Sequence, residues 1–272
     1  MNSGFRSVGL SGLAVAVALG LLPLALSAAD HAAKTPAADN PAEVVELFSA
    51  MEKGQVDVKL IPKDSTQCRV MIENKTDKPL SVKLPHAFAG VPVLAQAANP
   101  VRQRNNNNNN NMNQMNQGMG GGMGGMMGGM GGMGMGGGGM GMGMMNIAPE
   151  KVGQFKVTTV CLDHGKAEPR AAVPYTIKPI DSYTGKPGVA EICEMLGKGQ
   201  LDQRAAQVAA WHLNNGMSFQ QLAAKQLRFA NGTTRPYFSP QELQAGMRAV
   251  NVASQLAKQR ADSQPQTSLS QK

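Results

Sequence analysis

Aromatic residues are scarce in this chain. Tryptophan occurs once, at Trp211, beside three tyrosines and seven phenylalanines in 272 residues. Long stretches therefore add little to a core, and the length suits one or two small domains. Cysteine is nearly absent too, with only Cys68, Cys161 and Cys193. Three thiols exclude a densely stapled scaffold; at most one internal bridge forms and one thiol is left over. Beyond residue 26 no long apolar run exists, so no later segment suits a membrane span. Missing as well are the Gly-x-Ser-x-Gly elbow, the phosphate loop, the His-Glu-x-x-His helix and a dinucleotide fingerprint that follows a strand and opens a helix. The expectation is a protein that is not an enzyme and carries no cofactor.

What is present begins with a leader. Arg6 supplies a short positive start, Leu10 to Leu26 is apolar and uncharged, and Ser27-Ala28-Ala29 ends in small residues. This is the pattern of a secretory signal over 1–29, cleaved near Ala29, which makes the mature protein periplasmic or secreted. The rival reading is an uncleaved anchor. The run falls short of the ~20 apolar residues of a spanning helix, and Pro23 interrupts it. A membrane is expected as a partner only through this segment, and nucleic acid is not expected.

After a polar lead at 30–39, Asn40, Pro41 and Glu43 read as a helix start, with Val44, Leu47, Phe48 and Met51 on one face. From Val56 the period changes to two. Val56, Val58 and Leu60 alternate with polar residues, then Cys68, Val70 and Ile72, then Leu80, Val82 and Leu84. Strand signals resume at Phe155, Val157 and Thr159, and at Tyr175-Thr176-Ile177. The expected fold is α+β: over 40–180 a short helix and a small antiparallel β-sandwich of immunoglobulin-like pattern, with strands from both sides of a long insert. Replacing a short loop by that insert costs only about 2 kcal/mol of closure entropy. A small helical bundle follows over 187–260. Its first two helices hold Val189 to Leu196 and Leu201 to Trp211; the third, capped by Ser218 and Gln221, holds Phe219, Leu222, Leu227 and Phe229; a fourth opens at Ser239-Pro240. Residues 261–272 read as a disordered tail.

The insert, 102–146, is read as a disordered Asn/Gly/Met-rich coil. Seven consecutive asparagines lead into a glycine–methionine tract, and thirteen methionines fall between Asn105 and Met145. Glycine loses the most backbone entropy on ordering, and no regular apolar face offsets it. Methionine thioethers select Cu(I). Met119, Met123, Met133, Met135, Met140, Met142 and Met144 have the short spacings of exported copper-handling proteins, which makes Cu(I) buffering the alternative function. Against it stands the simplicity of the repeat, which drift in a low-complexity tract explains. An oxidant sink and self-association are further readings of the same residues.

Outside the insert, Cys68 and Cys161 both fall in expected strands, so an inter-sheet disulfide is one candidate; three buried thiols are at least as plausible. Cys161-x-x-His164 is the one close Cys/His pair, too few ligands for a zinc site. Lys198 to Lys272 holds nine Lys/Arg against three Asp/Glu. That excess suits an anionic envelope polymer or lipid surface, although, with no dense basic run, solvated helix faces explain it more simply. Two stretches, Asn74 to Gln96 and Val160 to Ala224 with its VCLDHGK and AAQVAAWHLNNGMSFQQLA, resemble exported proteins of planctomycete-type bacteria. The resemblance spares the insert and implies no function and no residue role. The chain is thus expected to be a binding or structural module of the cell envelope, with an envelope protein or anionic polymer as its partner.

Overall fold

The structure is a computed structural model that describes residues 42–93, 116–123 and 143–263. The leader, the polar lead, residues 264–272 and the insert residues at 102–115 and 124–142 lie outside the described residues.

The described chain opens on a strand, not on the expected helix. β1 (Glu43–Glu46) leaves Val44 exposed, and α1 (Leu47–Glu52) starts only where the Glu46 carboxylate accepts a hydrogen bond from the Ser49 N–H at 2.8 Å. A side-chain acceptor on a free helical N–H fixes the start six residues later than the Asn40 pattern implied, at Leu47 instead of Pro41. Alternation then builds β2 (Val56–Pro62) and β3 (Gln67–Asn74), whose inward residues are Val56, Val58, Leu60, Cys68, Val70 and Ile72. β4 (Leu80–Lys83), β5 (Phe88–Pro92), β6 (Met119–Gly121), β7 (Met144–Ile147), β8 (Val152–Cys161) and β9 (Tyr175–Pro179) complete the first half.

These strands do not make a sandwich. Six close into a barrel in the order β2-β3-β8-β6-β5-β9, with every neighbouring pair antiparallel. A separate mixed sheet, β1-β4-β7, lays β1 parallel to β4 and β7 antiparallel to it. The correction has a physical cause. Alternating residues line a barrel interior and a sandwich face alike, so the pattern cannot separate them. What links β8 to β5 in this barrel is β6, a strand drawn from inside the insert. It pairs with β8 from Met119–Cys161 to Gly121–Thr159 and with β5 from Phe88–Gly121 to Gly90–Met119.

Residues 116–123 therefore belong to the folded body, contrary to the expectation of unbroken coil. Their glycines fit where no side chain would. A Cβ at Gly120 would stand 2.7 Å from Cys193 Sγ and 3.0 Å from a Leu162 methyl. At Gly122 it would meet the carbonyl oxygens of Cys193 and His86, and at Gly118 the Tyr183 hydroxyl. The tight packing this permits, and not any apolar face, offsets the glycine entropy. Polar clamps hold the lead-in. The Gly118 N–H and Tyr183 hydroxyl both donate to Asp163 Oδ2, at 2.9 and 2.5 Å, and Tyr175 donates to the Gln117 carbonyl at 2.8 Å.

The second half is helical. α2 (Ile180–Tyr183) is a single turn. α3 (Val189–Gly197), α4 (Gln203–Asn215) and α5 (Phe219–Ala224) follow, then a hairpin of β10 (Gln226–Arg228) and β11 (Thr234–Pro236), and last α6 (Pro240–Ser263). Caps set the helix ends: Asp202 accepts from the Arg204 N–H, Ser218 and Gln221 form a reciprocal box, and Ser239 and Glu242 form another. The helices share a core with the barrel. Val189, Ile192, Cys193, Ala206, Ala209 and Ala249 pack into one buried cluster with Ala89, Val160 and Leu162 of the barrel.

A ladder of side-chain amides joins α4 to β8. Past Thr159 the strand runs beyond β3, and the Cys161 peptide has no strand partner on that edge. Gln207 takes its place: Oε1 accepts from the Cys161 N–H and Nε2 donates to the Cys161 carbonyl, both at 2.8 Å. Gln203 donates to the Thr159 carbonyl at 3.0 Å, Asn214 to the Leu162 carbonyl at 2.7 Å, and Asn215 accepts from the His164 N–H at 3.1 Å. The helical spacing of these four residues keeps them toward one side of α4.

Two outcomes follow. Gly120→Val lowers unfolding free energy by about 1–3 kcal/mol through overpacking, whereas Gly185→Ala, with nothing within 4 Å, stays within about 0.5 kcal/mol. Gln207→Leu strands a buried donor and a buried acceptor of Cys161 and costs about 2–4 kcal/mol. Urea unfolding of the purified variants measures all three.

Candidate interaction face

The residues singled out in the sequence scatter. Met119 and Met123 are core side chains, 0% and 1% exposed, and Met144 is half-buried on β7 opposite Lys83. Met133, Met135, Met140 and Met142 lie outside the described residues. A thioether held in the core has no free side for a wrapped ion, so the seven methionines do not act as one flexible set. Among the described residues no group of His, Cys, Asp and Glu is arranged to hold a metal.

The cysteines are three free, buried thiols. The Cys68–Cys161 bridge is ruled out by register. Cys68 stands opposite Val157, and Cys161 is four residues further along β8, roughly 13 Å away at strand rise, whereas bridged Cα atoms lie within about 7 Å. Burial pushes the Cys68 and Cys193 thiols up to about 12 and Cys161 higher still. None carries thiolate at neutral pH, so Cys161 lacks the character of a nucleophile.

Among the described residues, Trp211 anchors a concentration of aromatic and cationic side chains. It sits on the last turns of α4, with the His164 ring edge-on at 4.8 Å, Tyr237 at 5.5 Å and Phe238 at 5.8 Å. The Lys225 ammonium lies 5.3 Å from the Trp211 ring centre and 5.2 Å from that of Tyr237, and 3.0 Å from His164 Nε2. Arg204 covers Tyr237 at 4.6 Å and Phe238 at 4.8 Å and pairs with Glu242 at 3.4 Å. The ammonium next to Nε2 makes that nitrogen the acceptor, so His164 is neutral. Burial first, and the Lys225 charge second, hold its pKa below the ordinary 6.5.

From this base the β10–β11 hairpin projects. Tyr237 N–H donates to the Lys225 carbonyl at 2.8 Å, Leu227 pairs with Arg235, and Phe229 N–H donates to the Thr233 carbonyl at 2.9 Å. Gly232 turns the chain at φ +81°, with the Asn231 side chain accepting from the Thr233 N–H and hydroxyl. Every residue of both strands is exposed. Because strand residues alternate, Lys225, Leu227, Phe229, Arg235 and Tyr237 share one face, with Arg228 on the other. Leu227 and Phe229 are 41% and 43% exposed, and the Arg235 guanidinium lies 5.7 Å from the Phe229 ring centre.

Comparison with family models, curated proteins and solved structures finds no match for this chain. Its chemistry has to be read from the site alone. Leu227 and Phe229, expected on the apolar face of the third helix, are exposed on the hairpin instead. The helix ends at Ala224 because Lys225 turns extended, at φ −68° and ψ 133°. The signal that marks the hairpin is Asn231-Gly232 between two short runs, a turn pair.

A second feature is a cleft of about 340 Å³ between α3 and the end of α6. Its charges answer one another: Arg260 reaches Glu191 at 3.2 Å and Glu194 at 3.5 Å, and Lys198 holds Glu194 at 2.6 Å. These pairs clasp α6 to α3 and leave little for a ligand.

The depressed His164 pKa carries a sign. The neutral ring's contribution to stability is complete above about 6.5, the unfolded value, and is lost as pH falls through the lower folded value. In an NMR titration His164 takes up its proton below 6.5. Lys225→Met moves that midpoint upward, and His164→Gln removes this part of the acid sensitivity.

Proposed function

We propose that the chain is a non-enzymatic binding module of the cell envelope that meets an anionic envelope component through the β10–β11 hairpin. One observation carries the reading. From Gln203 to Gln241 the sequence contains no Asp or Glu, while it holds Arg204, Lys225, Arg228 and Arg235. The first two cations are engaged at the aromatic base. Arg228 and Arg235 form no salt bridge among the described residues. A hairpin that carries two arginines and no acid of its own attracts an anionic surface. Leader-like residues 1–29 support an envelope location.

The test is retention on sedimented envelope fragments. The wild-type chain is retained at low salt and released at high salt. The Arg228→Glu, Arg235→Glu double variant, which alters only exposed positions, is retained at least about tenfold less. Equal retention of the two proteins rejects the reading.

A further inference from the structure

We infer that the anionic component is a phospholipid surface, with Phe229 and Leu227 entering the headgroup region of a bilayer while Arg228 and Arg235 meet its phosphates. The inference rests on the binding reading above and names its partner.

Three observations select lipid over an acidic polymer. First, the exposed apolar side chains of the hairpin sit together: Leu227 and Phe229 are two residues apart on one face, leading to the tip. A hydrated polyanion offers them no apolar phase, and a bilayer interface does. Second, the cations bracket that pair from both sides. Arg235 stands opposite Leu227 on the apolar face, and Arg228 lies between Leu227 and Phe229 on the reverse face. Long arginine side chains reach phosphates from either side of a shallowly inserted hairpin. Third, the hairpin itself is purely cationic, since no acid lies between Gln203 and Gln241. The base is also stiff. Tyr237 and Lys225 tie both strands to Trp211, so ordering on contact is largely prepaid. A contact of two apolar side chains and two cations is weak, reversible and salt-sensitive. It is independent of the leader.

The experiment uses the full chain carrying Phe229→Trp, with the wild-type chain as baseline, because Trp211 is 5% exposed and insulated from lipid. Vesicles are phosphatidylcholine alone or an equimolar mixture with phosphatidylglycerol, with and without brominated acyl chains. Circular dichroism confirms that each variant keeps the wild-type spectrum. The expected result is a blue shift and bromine quenching of the new tryptophan on anionic vesicles, at least about tenfold weaker on neutral ones and after Arg228→Glu with Arg235→Glu. The wild-type emission stays unchanged. No quenching on anionic vesicles, or equal quenching on neutral ones, overturns the lipid assignment. If the variant then binds a soluble polyuronate, and charge reversal abolishes that binding, the partner is a polyanion and the binding reading stands. If it ignores vesicles and polyuronate, and envelope retention is also insensitive to charge reversal, both readings fall.

Discussion

The backbone of Cys161 is the point on which the rest of the molecule turns. A strand that outruns its neighbour leaves a buried N–H and C=O without partners, and the interior does not tolerate that. Here the neighbour is replaced by a helix: Gln207 copies both hydrogen bonds of a missing strand. Once that pair is made, α4 can lie only along the end of β8. Trp211, one turn further on, then stands at the barrel rim with His164 beside it. The aromatic base and the engaged Lys225 are built on that placement of α4, which Gln203, Asn214 and Asn215 hold together with Gln207.

Much of the fold could be read from periodicity, and the failures share a cause. β2 and β3 announce themselves because each buries alternate residues such as Val56, Val58 and Leu60. The caps at Asp202, Ser218 and Ser239 mark helix starts by side-chain chemistry that is local in sequence. Barrel closure is not local. It depends on whether β9 reaches β2, which it does through the pairing of Leu60 with Tyr175, and no pattern within either strand encodes that. β6 was unreadable for a different reason. Its glycines carry no side-chain signal, and their value lies in what they allow Cys193, Tyr183 and Leu162 to approach. For the candidate face, the basic excess was visible, but its meaning depended on Leu227 and Phe229 lying on an exposed hairpin instead of a buried helix.

The two ends of the hairpin illustrate how position decides the role of the same residue type. Arg204, at the base, stacks on Tyr237 and Phe238 and is balanced by Glu242. It contributes to packing as much as to charge. Arg235, two residues from Tyr237, lies in solvent above the Phe229 ring. The chain thus divides a modest set of cations into those that hold the aromatic base and those that face outward. It does so with few charges, which explains why the segment's basic balance carried so little weight when counted residue by residue.

The glycine strand carries a problem of identity. Met119-Gly120-Gly121-Gly122 is repeated sixteen residues later as Met135-Gly136-Gly137-Gly138, so the chain holds two nearly interchangeable candidates for one slot. What separates them stands just outside the shared letters. The first is preceded by Asn116, whose amide donates to the Glu168 carbonyl, and by the buried Gln117, and is followed by Met123, fully enclosed; the second has Gly132, Met133 and Gly139 at those places. Two side-chain amides and one thioether therefore distinguish the copy that is threaded from its near repeat, and a tract of this kind keeps its strand through changes of length only where those three residues are kept.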